Sequence, residues 1–271
     1  MKISEAPAPV PQLIHHVPAF PSVYLGRDVM MDIFLPHNYY KNEEPCHVLF
    51  LNDGQNWKSL SIASSLIEMG ESVEPVIIVA LHCSHDRLLE YGTAAMADYK
   101  NRGNRAAAYT YFVTHELIPY IECQYRVPAE AAYRSFAGFS LGGLSAFDIV
   151  WHHPHLFSKA GIFSGSFWWR HKPDGAEDPD ADRIMHKLVT AGQFHNNLKF
   201  WFSAGTDEEK EDRNKNGIID VIDDIIDLMD ELRQLGYTDE HMKYVEIEGG
   251  RHHEDSWGAV FPEFLRWAYG T

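Results

Sequence analysis

The chain has 271 residues, 45% of them hydrophobic, enough to bury one sizeable core. Its formal net charge of −16 argues against nucleic acid and anionic membrane surfaces as partners. No run approaches the roughly 18 apolar residues of a membrane span. The N-terminus also lacks the apolar core of a secretory signal, so a soluble cytoplasmic protein is expected. Had such a signal been removed, the protein would be periplasmic or secreted. The three cysteines, Cys46, Cys83 and Cys123, are scattered and odd in number, as expected of reduced, mostly buried thiols.

In chain order, residues 1–20 read as an N-terminal extension and 21–271 as one domain. Val23–Leu35, with Gly26-Arg27-Asp28 at its middle, reads as an antiparallel hairpin. Val48–Leu51 and Val76–Leu81 read as buried strands, and Ala106–Cys123 as a helix. Ser135–Phe139 is a strand and Gly142–His152 a helix. Lys159–Phe163 and Lys199–Ser203 are further strands. Ile219–Leu235 has the apolar spacing of an amphipathic helix, Lys243–Ile247 is the last strand, and Phe261–Tyr269 a closing helix. Continuous apolar strands alternating with helices predict a mostly parallel central sheet with helices on both faces. The Pro-, Gly- and Asp-rich stretch Arg170–Asp182 is a surface loop or a specificity insertion.

Gly138-Phe139-Ser140-Leu141-Gly142 fits G-x-S-x-G, with an apolar strand before it and a helical pattern after it. A sharp strand-to-helix turn lifts the serine hydroxyl clear of the sheet, and the flanking glycines leave room for it. The backbone N–H of Leu141 then opens the helix and supplies half of an oxyanion hole. A serine, then an acid, then a histidine is the chain order of the α/β-hydrolase fold. After the last strand, His252 or His253 follows Gly249-Gly250, where a tight loop would bring a base beside Ser140. His152, His153 and His155 lie in or just past the helix after Ser140 and read as structural. After the strand ending near Ser203, Asp207, Glu208 and Glu209 compete as the acid, and spacing alone does not choose among them.

Several stretches together resemble the "putative esterase" family of α/β-hydrolases, which includes esterase D, enterochelin esterases and feruloyl esterases. They are Gly26-Arg27-Asp28, Asn52-Asp53-Gly54-Gln55-Asn56, Arg87 with Glu90-Tyr91, Glu116–Ile121, Tyr125-Arg126, the Ser140 turn, Phe163-Ser164-Gly165-Ser166 and Gly249-Gly250-Arg251-His252 with Trp257. The resemblance spans about Val23 to Trp267. It implies a serine carboxylic-ester hydrolase with Ser140 as nucleophile, His252 as base and Glu208 as acid, Asp207 staying open. It also implies that Gln55 supplies the second oxyanion N–H and that catalysis needs no cofactor. Acyl transfer, or thioester hydrolysis of the S-formylglutathione hydrolase kind, would use the same triad. A non-catalytic, calcium-stabilised binding protein of the same fold is the alternative from another class. The expected partner is a small-molecule, carbohydrate or siderophore ester, and a homodimer is allowed. Trp168 and Trp169 are candidates to line the substrate pocket, or are packing residues.

The acidity is uneven. Asp207 to Glu231 holds 11 acidic and 3 basic residues, a balance of −8 and half the total. Within it, counting Asp212 as position 1, side-chain oxygens fall at positions 1, 3, 5, 9 and 12: Asp212, Asn214, Asn216, Asp220 and Asp223. Gly217 stands at 6, and Ile218 at 7 would contribute its carbonyl. This is the EF-hand loop pattern with Asp rather than Glu at 12, so a structural Ca²⁺ is expected there, close enough to steady Glu208. The alternative is a polar loop capped by Asp220.

Overall fold

A computed structural model describes residues 13–173 and 178–271. Its sheet has eight strands: β1 (Leu13–Ser22), β2 (Arg27–Leu35), β3 (His47–Leu51), β4 (Val76–Leu81), β5 (Arg134–Phe139), β6 (Lys159–Phe163), β7 (Lys199–Gly205) and β8 (Met242–Ile247), in the order β1-β2-β4-β3-β5-β6-β7-β8. From β4 to β8 every pairing is parallel, while β2 pairs antiparallel with both β1 and β4. The expected hairpin is present but begins earlier, with its turn over residues 23–26 and its first strand reaching back to Leu13. Pro18 and Pro21 disguise that strand. Proline cannot donate to a ladder and is tolerated on an edge strand such as β1, whose register slips between Val17 and Phe20.

Alternate residues of the central strands feed two cores. Val48, Phe50, Ile77 and Val79 point to one face; Leu49, Leu51, Ile78 and Ala80 point to the other. The second face is covered by α1 (Ile62–Met69) and, beyond the intervening helices, by α8 (Glu254–Tyr269), which buries Trp257, Phe261, Phe264, Leu265 and Ala268. The short α2 (Arg87–Glu90) follows β4. On the first face, α3 (Ala106–Tyr111) runs through a wider π-helical stretch, Phe112–Leu117, into α4 (Ile118–Gln124). The sequence predicts one continuous helix there, but Pro119 removes an N–H, and the widened turn sits just before it. The same face carries α5 (Leu141–His152), α6 (Ile184–Thr190) and α7 (Asp220–Leu235). α8 starts seven residues before the predicted Phe261, where His253 accepts a hydrogen bond from the Asp255 N–H and Glu254 and Asp255 meet the positive helix end.

No described helix is long and apolar enough to cross a membrane. The cysteines are unpaired, but only Cys46 is buried; Cys83 is half-buried and Cys123 exposed.

His186 of α6 has a clear pH signature. Its Nε2 donates to the Asp224 carbonyl at 2.9 Å, and its buried Nδ1 has no partner among the described residues. Burial, aided by the Arg183 charge, pushes its pKa down from 6.5 to about 3. As pH falls below 6.5 the unfolded chain therefore binds a proton that the folded chain refuses. Stability is lost progressively between 6.5 and about 3, by up to ~1.4 kcal/mol per pH unit. Urea-unfolding midpoints measured across this window are expected to fall less steeply in His186→Gln than in the parent chain. Equal slopes would contradict the argument.

Candidate functional site

The parallel strands place the loops after β3, β5, β6, β7 and β8 along one carboxyl edge, where ligands collect in open α/β sheets. Ser140 occupies the turn between β5 and α5 with φ 54° and ψ −122°, a conformation costly for a residue with a side chain. The turn is possible because a Cβ on Gly138 would stand only 2.3 Å from the Gly142 carbonyl oxygen. The Ser140 N–H donates to the Phe163 carbonyl at 2.9 Å, tying the turn to the end of β6. Its Oγ has Ser166 Oγ as a neighbour at 3.3 Å.

Of the two candidate histidines, His252 faces an acid and His253 caps α8. His252 Nδ1 lies 2.7 Å from Glu208 Oε2; its ring and Ser140 line the same cleft, with no hydrogen bond between them among the described residues. The Glu208 side chain is 1% exposed, that of His252 40%. The other Glu208 oxygen accepts from the Gly205 N–H at 2.6 Å and from Ser164 Oγ at 2.5 Å. Glu209 instead accepts from the Val221 N–H at 2.7 Å at the start of α7, and the side chain of Asp207 is exposed. The three neighbouring carboxylates thus have three environments.

The acid and histidine loops are knit by backbone. Thr206 N–H donates to the Ile247 carbonyl and Asp207 N–H to the Gly250 carbonyl, at 3.0 and 2.9 Å. A Cβ on Gly205 would lie 2.2 Å from the Gly250 oxygen.

The third loop follows β3. Asp53 has a left-handed φ of 58° and is clamped by Arg87, whose Nε and Nη2 each reach a carboxylate oxygen at 2.7 Å. Burial disfavours the Arg87 cation, but the hydrogen bonds and charge of Asp53 outweigh it and raise its pKa. The Gln55 side chain is pinned to Cys83, accepting from its N–H at 3.1 Å and donating to its sulfur. The backbone N–H groups of Gln55 and Leu141 have no acceptor among the described residues. Asp53, Gln55, Arg87, Phe139, Ser140, His252, Glu254 and Trp257 line one cleft of about 280 Å³.

The tryptophan candidates fare differently. Trp169 is fully buried, packed over Gly92 and Gly103, and does not line this cleft. Trp168 is half-buried and carries the Arg102 guanidinium over its ring, also away from the cleft lining. Aromatic residues after a sheet strand look alike in sequence whether they line a pocket or pack beneath one. Ser164 and Trp257, which lie in two of the stretches that carry the family resemblance, form part of the Glu208 and His252 environment.

The acidic loop folds as a compact turn. Asp212 accepts from the Asn216 and Gly217 N–H groups, and the Asn214 and Asn216 amides both reach Asp223, at 2.7 and 2.8 Å. Asp220 accepts from the Arg213 N–H at 2.9 Å. Oxygens of Asp180, Asp223 and Asp227 lie within 4.8 Å of one another. Of the Arg170–Asp182 stretch, residues 174–177 lie outside the described residues; Asp180 pairs with Arg213, on the side of the acidic loop.

With this geometry in place, similarity to known proteins decides the family. The model of the family described as "Putative esterase" matches residues 22–268. The chain belongs to this family. It is an esterase of the α/β-hydrolase fold. A curated relative, "Uncharacterized protein YbbA" of Bacillus subtilis (strain 168), is 23% identical over 248 residues, covering 88% of this chain and 91% of the relative. A ferulic acid esterase structure aligns with TM-score 0.72 at 18% identity, covering 97% of this chain and 98% of the other. The enterobactin esterase FES of Shigella flexneri, solved with enterobactin, aligns with TM-score 0.72 at 19% identity, over 98% of this chain and 63% of that one. These structural likenesses are likenesses of fold.

The Gly205–Gly250 approach gives a direct test. Gly205→Ala pushes the two loops apart and is expected to lower stability by ~1–3 kcal/mol and to reduce ester hydrolysis beyond what partial unfolding explains. Thermal melts and kcat measured together check this. A variant with full activity would show that the two loops need not touch.

Proposed function

We propose that this esterase hydrolyses carboxylic esters through Ser140, His252 and Glu208 by way of an acyl-enzyme. The observation that carries the reading is the 2.7 Å contact of His252 with the buried Glu208 at the sheet edge where Ser140 turns. In this mechanism His252 Nε2 takes the Ser140 proton as Oγ attacks the ester carbonyl. The carbonyl π electrons move to oxygen, where the free N–H groups of Leu141 and Gln55 receive the charge. Collapse breaks the bond to the alcohol, which leaves with the proton from His252. Water then attacks the acyl group, His252 takes its proton and returns it to Ser140, and the acid departs. Glu208 orients the imidazole and stabilises its cation throughout.

The substrate fits a small or slender acyl group. The cleft pairs an apolar wall, Phe139 and Trp257, with a polar one, Gln55, Asn56, Arg87 and Glu254. An aromatic or hydroxylated ester of the general kind named for the feruloyl and enterobactin esterases is compatible with both walls. Ser140→Ala is expected to abolish p-nitrophenyl acetate hydrolysis and fluorophosphonate labelling. Retention of most activity would overturn the assignment, whereas a parent chain that neither labels nor hydrolyses any ester or thioester would favour a binding role.

We also propose that the loop from Asp212 to Asp223 takes a structural Ca²⁺. Asp212 and Asp223, positions 1 and 12, have no cationic partner among the described residues, while Asp180, Asp220, Asp224 and Asp227 each pair with an arginine. The donors are all oxygens, suited to a hard cation. Asp212, Asn214, Asn216, the Ile218 carbonyl, Asp220 and Asp223 would hold the ion, which would fix the loop that follows Glu208. A chelator is expected to lower the melting temperature by several degrees and added Ca²⁺ to restore it, since a ligand at a hundred times its Kd stabilises by about 2.7 kcal/mol. An unchanged melting temperature in both directions would remove calcium from the account.

A further inference from the structure

The buried carboxylate of Glu208 needs more than its histidine to hold it. Its Oε1 receives two donors, the Gly205 N–H and the Ser164 hydroxyl, at 2.6 and 2.5 Å. The Ser164 hydroxyl has one proton, and it points at Glu208. Its oxygen then accepts the indole N–H of Trp257 at 2.7 Å. That indole stands nearly perpendicular to the His252 ring, with centroids 5.2 Å apart, and stacks on Phe139. A closed circuit therefore runs from Trp257 to Ser164, to Glu208, to His252, and back through ring contact to Trp257. Ser164 is 1% exposed and sits at φ 51°, in the left-handed region that a serine seldom occupies. Such strain persists where surrounding contacts over-determine it. Here those contacts are its N–H bond to the Ser203 carbonyl at 2.7 Å and the two side-chain bonds.

We propose that Ser164 and Trp257 are positioning residues that fix the rotamer of Glu208, and through it the direction of His252 Nε2. This rests on the triad reading above. With Ser164 oriented by the indole, its hydroxyl can serve Glu208 only as a donor, so Oε1 is saturated and Oε2 is left for the histidine. Ser164 does not line the cleft, so its effect passes through the carboxylate; Trp257 lines the cleft with one part of its ring and reaches Ser164 with its N–H. Removing the hydroxyl leaves Oε1 with one donor and a buried indole N–H with none.

The test is a mutant cycle on p-nitrophenyl acetate with Ser164→Gly, Trp257→Phe, Glu208→Ala and the double variant Ser164→Gly/Glu208→Ala. Glycine accepts the left-handed backbone, so Ser164→Gly removes the hydroxyl without forcing the turn to refold. Trp257→Phe keeps an aromatic ring but removes the N–H together with part of the buried indole, so its thermal stability is measured alongside. Ser164→Gly is expected to lower kcat roughly ten- to hundredfold, the worth of one hydrogen bond to a charged group. KM should stay within about twofold, as for a loss felt only in the transition state. Trp257→Phe should lower kcat less, and because its ring also lines the cleft only its kcat is read. The double variant should be no slower than Glu208→Ala alone, because a residue acting through Glu208 has nothing to act on once it is gone. Full kcat in both Ser164→Gly and Trp257→Phe, or losses that multiply in the double variant, would overturn the positioning role while leaving the triad intact. Wild-type kcat in Glu208→Ala would instead overturn the acid assignment, and the positioning role with it.

Discussion

The site depends on how closely two loops can pass at the ends of adjacent parallel strands. β7 and β8 are in register, with Gly205 opposite Ile247, and the chain beyond them must turn at once to keep Glu208 and His252 within hydrogen-bond reach. Backbone meets backbone at Gly205 and Gly250, where no side chain would fit. The two inter-loop N–H bonds then satisfy groups that would otherwise be orphaned at a strand end. The Glu208–His252 pair therefore inherits its geometry from the sheet. It is not left to long side chains searching in solvent, a cost in rotamer freedom that weakens surface ion pairs.

The same edge stores strain. Asp53 after β3, Ser140 after β5 and Ser164 after β6 all carry left-handed φ values. Each such residue costs on the order of 1–3 kcal/mol, and each is answered by a local clamp. Arg87 holds Asp53 by two hydrogen bonds, the Phe163 carbonyl holds the Ser140 N–H, and Trp257 with Glu208 holds Ser164. Three neighbouring strands thus end in three sharp turns, two of which place Asp53 and Ser140 in one cleft while the third aims Ser164 at the buried Glu208. Two continuous cores, one on each face of the sheet, offset that strain.

What was legible in the sequence follows from which physical signal each element leaves. The middle strands are buried on both faces, so their continuous apolar runs mark β4 and β6 to the residue. An edge strand such as β1 carries prolines and a slipped register, so it has no such signature. The start of α8 was hidden because its first turn is polar and acidic, which suits a helix N-terminus but breaks the apolar period. At the site, Ser140 was readable because its strained turn demands glycines at fixed offsets. Spacing does not separate Glu208 from Asp207 and Glu209, since what sets Glu208 apart is the Gly205 N–H and the Ser164 hydroxyl, contacts that form only after folding. Trp168 and Trp169 are indistinguishable in sequence for the complementary reason: only the folded neighbours bury Trp169 and leave Trp168 half-exposed.

The acidic segment shows how misleading a charge count can be. A balance of −8 over twenty-five residues reads as a solvated face, yet much of it is turned inward. Asp224 is fully buried between Arg183 and Arg213, and desolvation raises its pKa although both guanidiniums work to lower it. Arg183 also reaches Asp227, and Arg213 reaches Asp180 and Asp220, so two cations organise four carboxylates, three from α7 and one from the segment before α6. Buried ion pairs of this kind seldom add much stability over apolar packing, but removing one partner strands a charge and is severe. The network therefore fixes where α6 and α7 sit against each other. What the arginines do not reach are Asp212 and Asp223, the two ends of the loop. A guanidinium fork suits carboxylates held side by side, which is how Arg183 spans Asp224 and Asp227 and Arg213 spans Asp220 and Asp224.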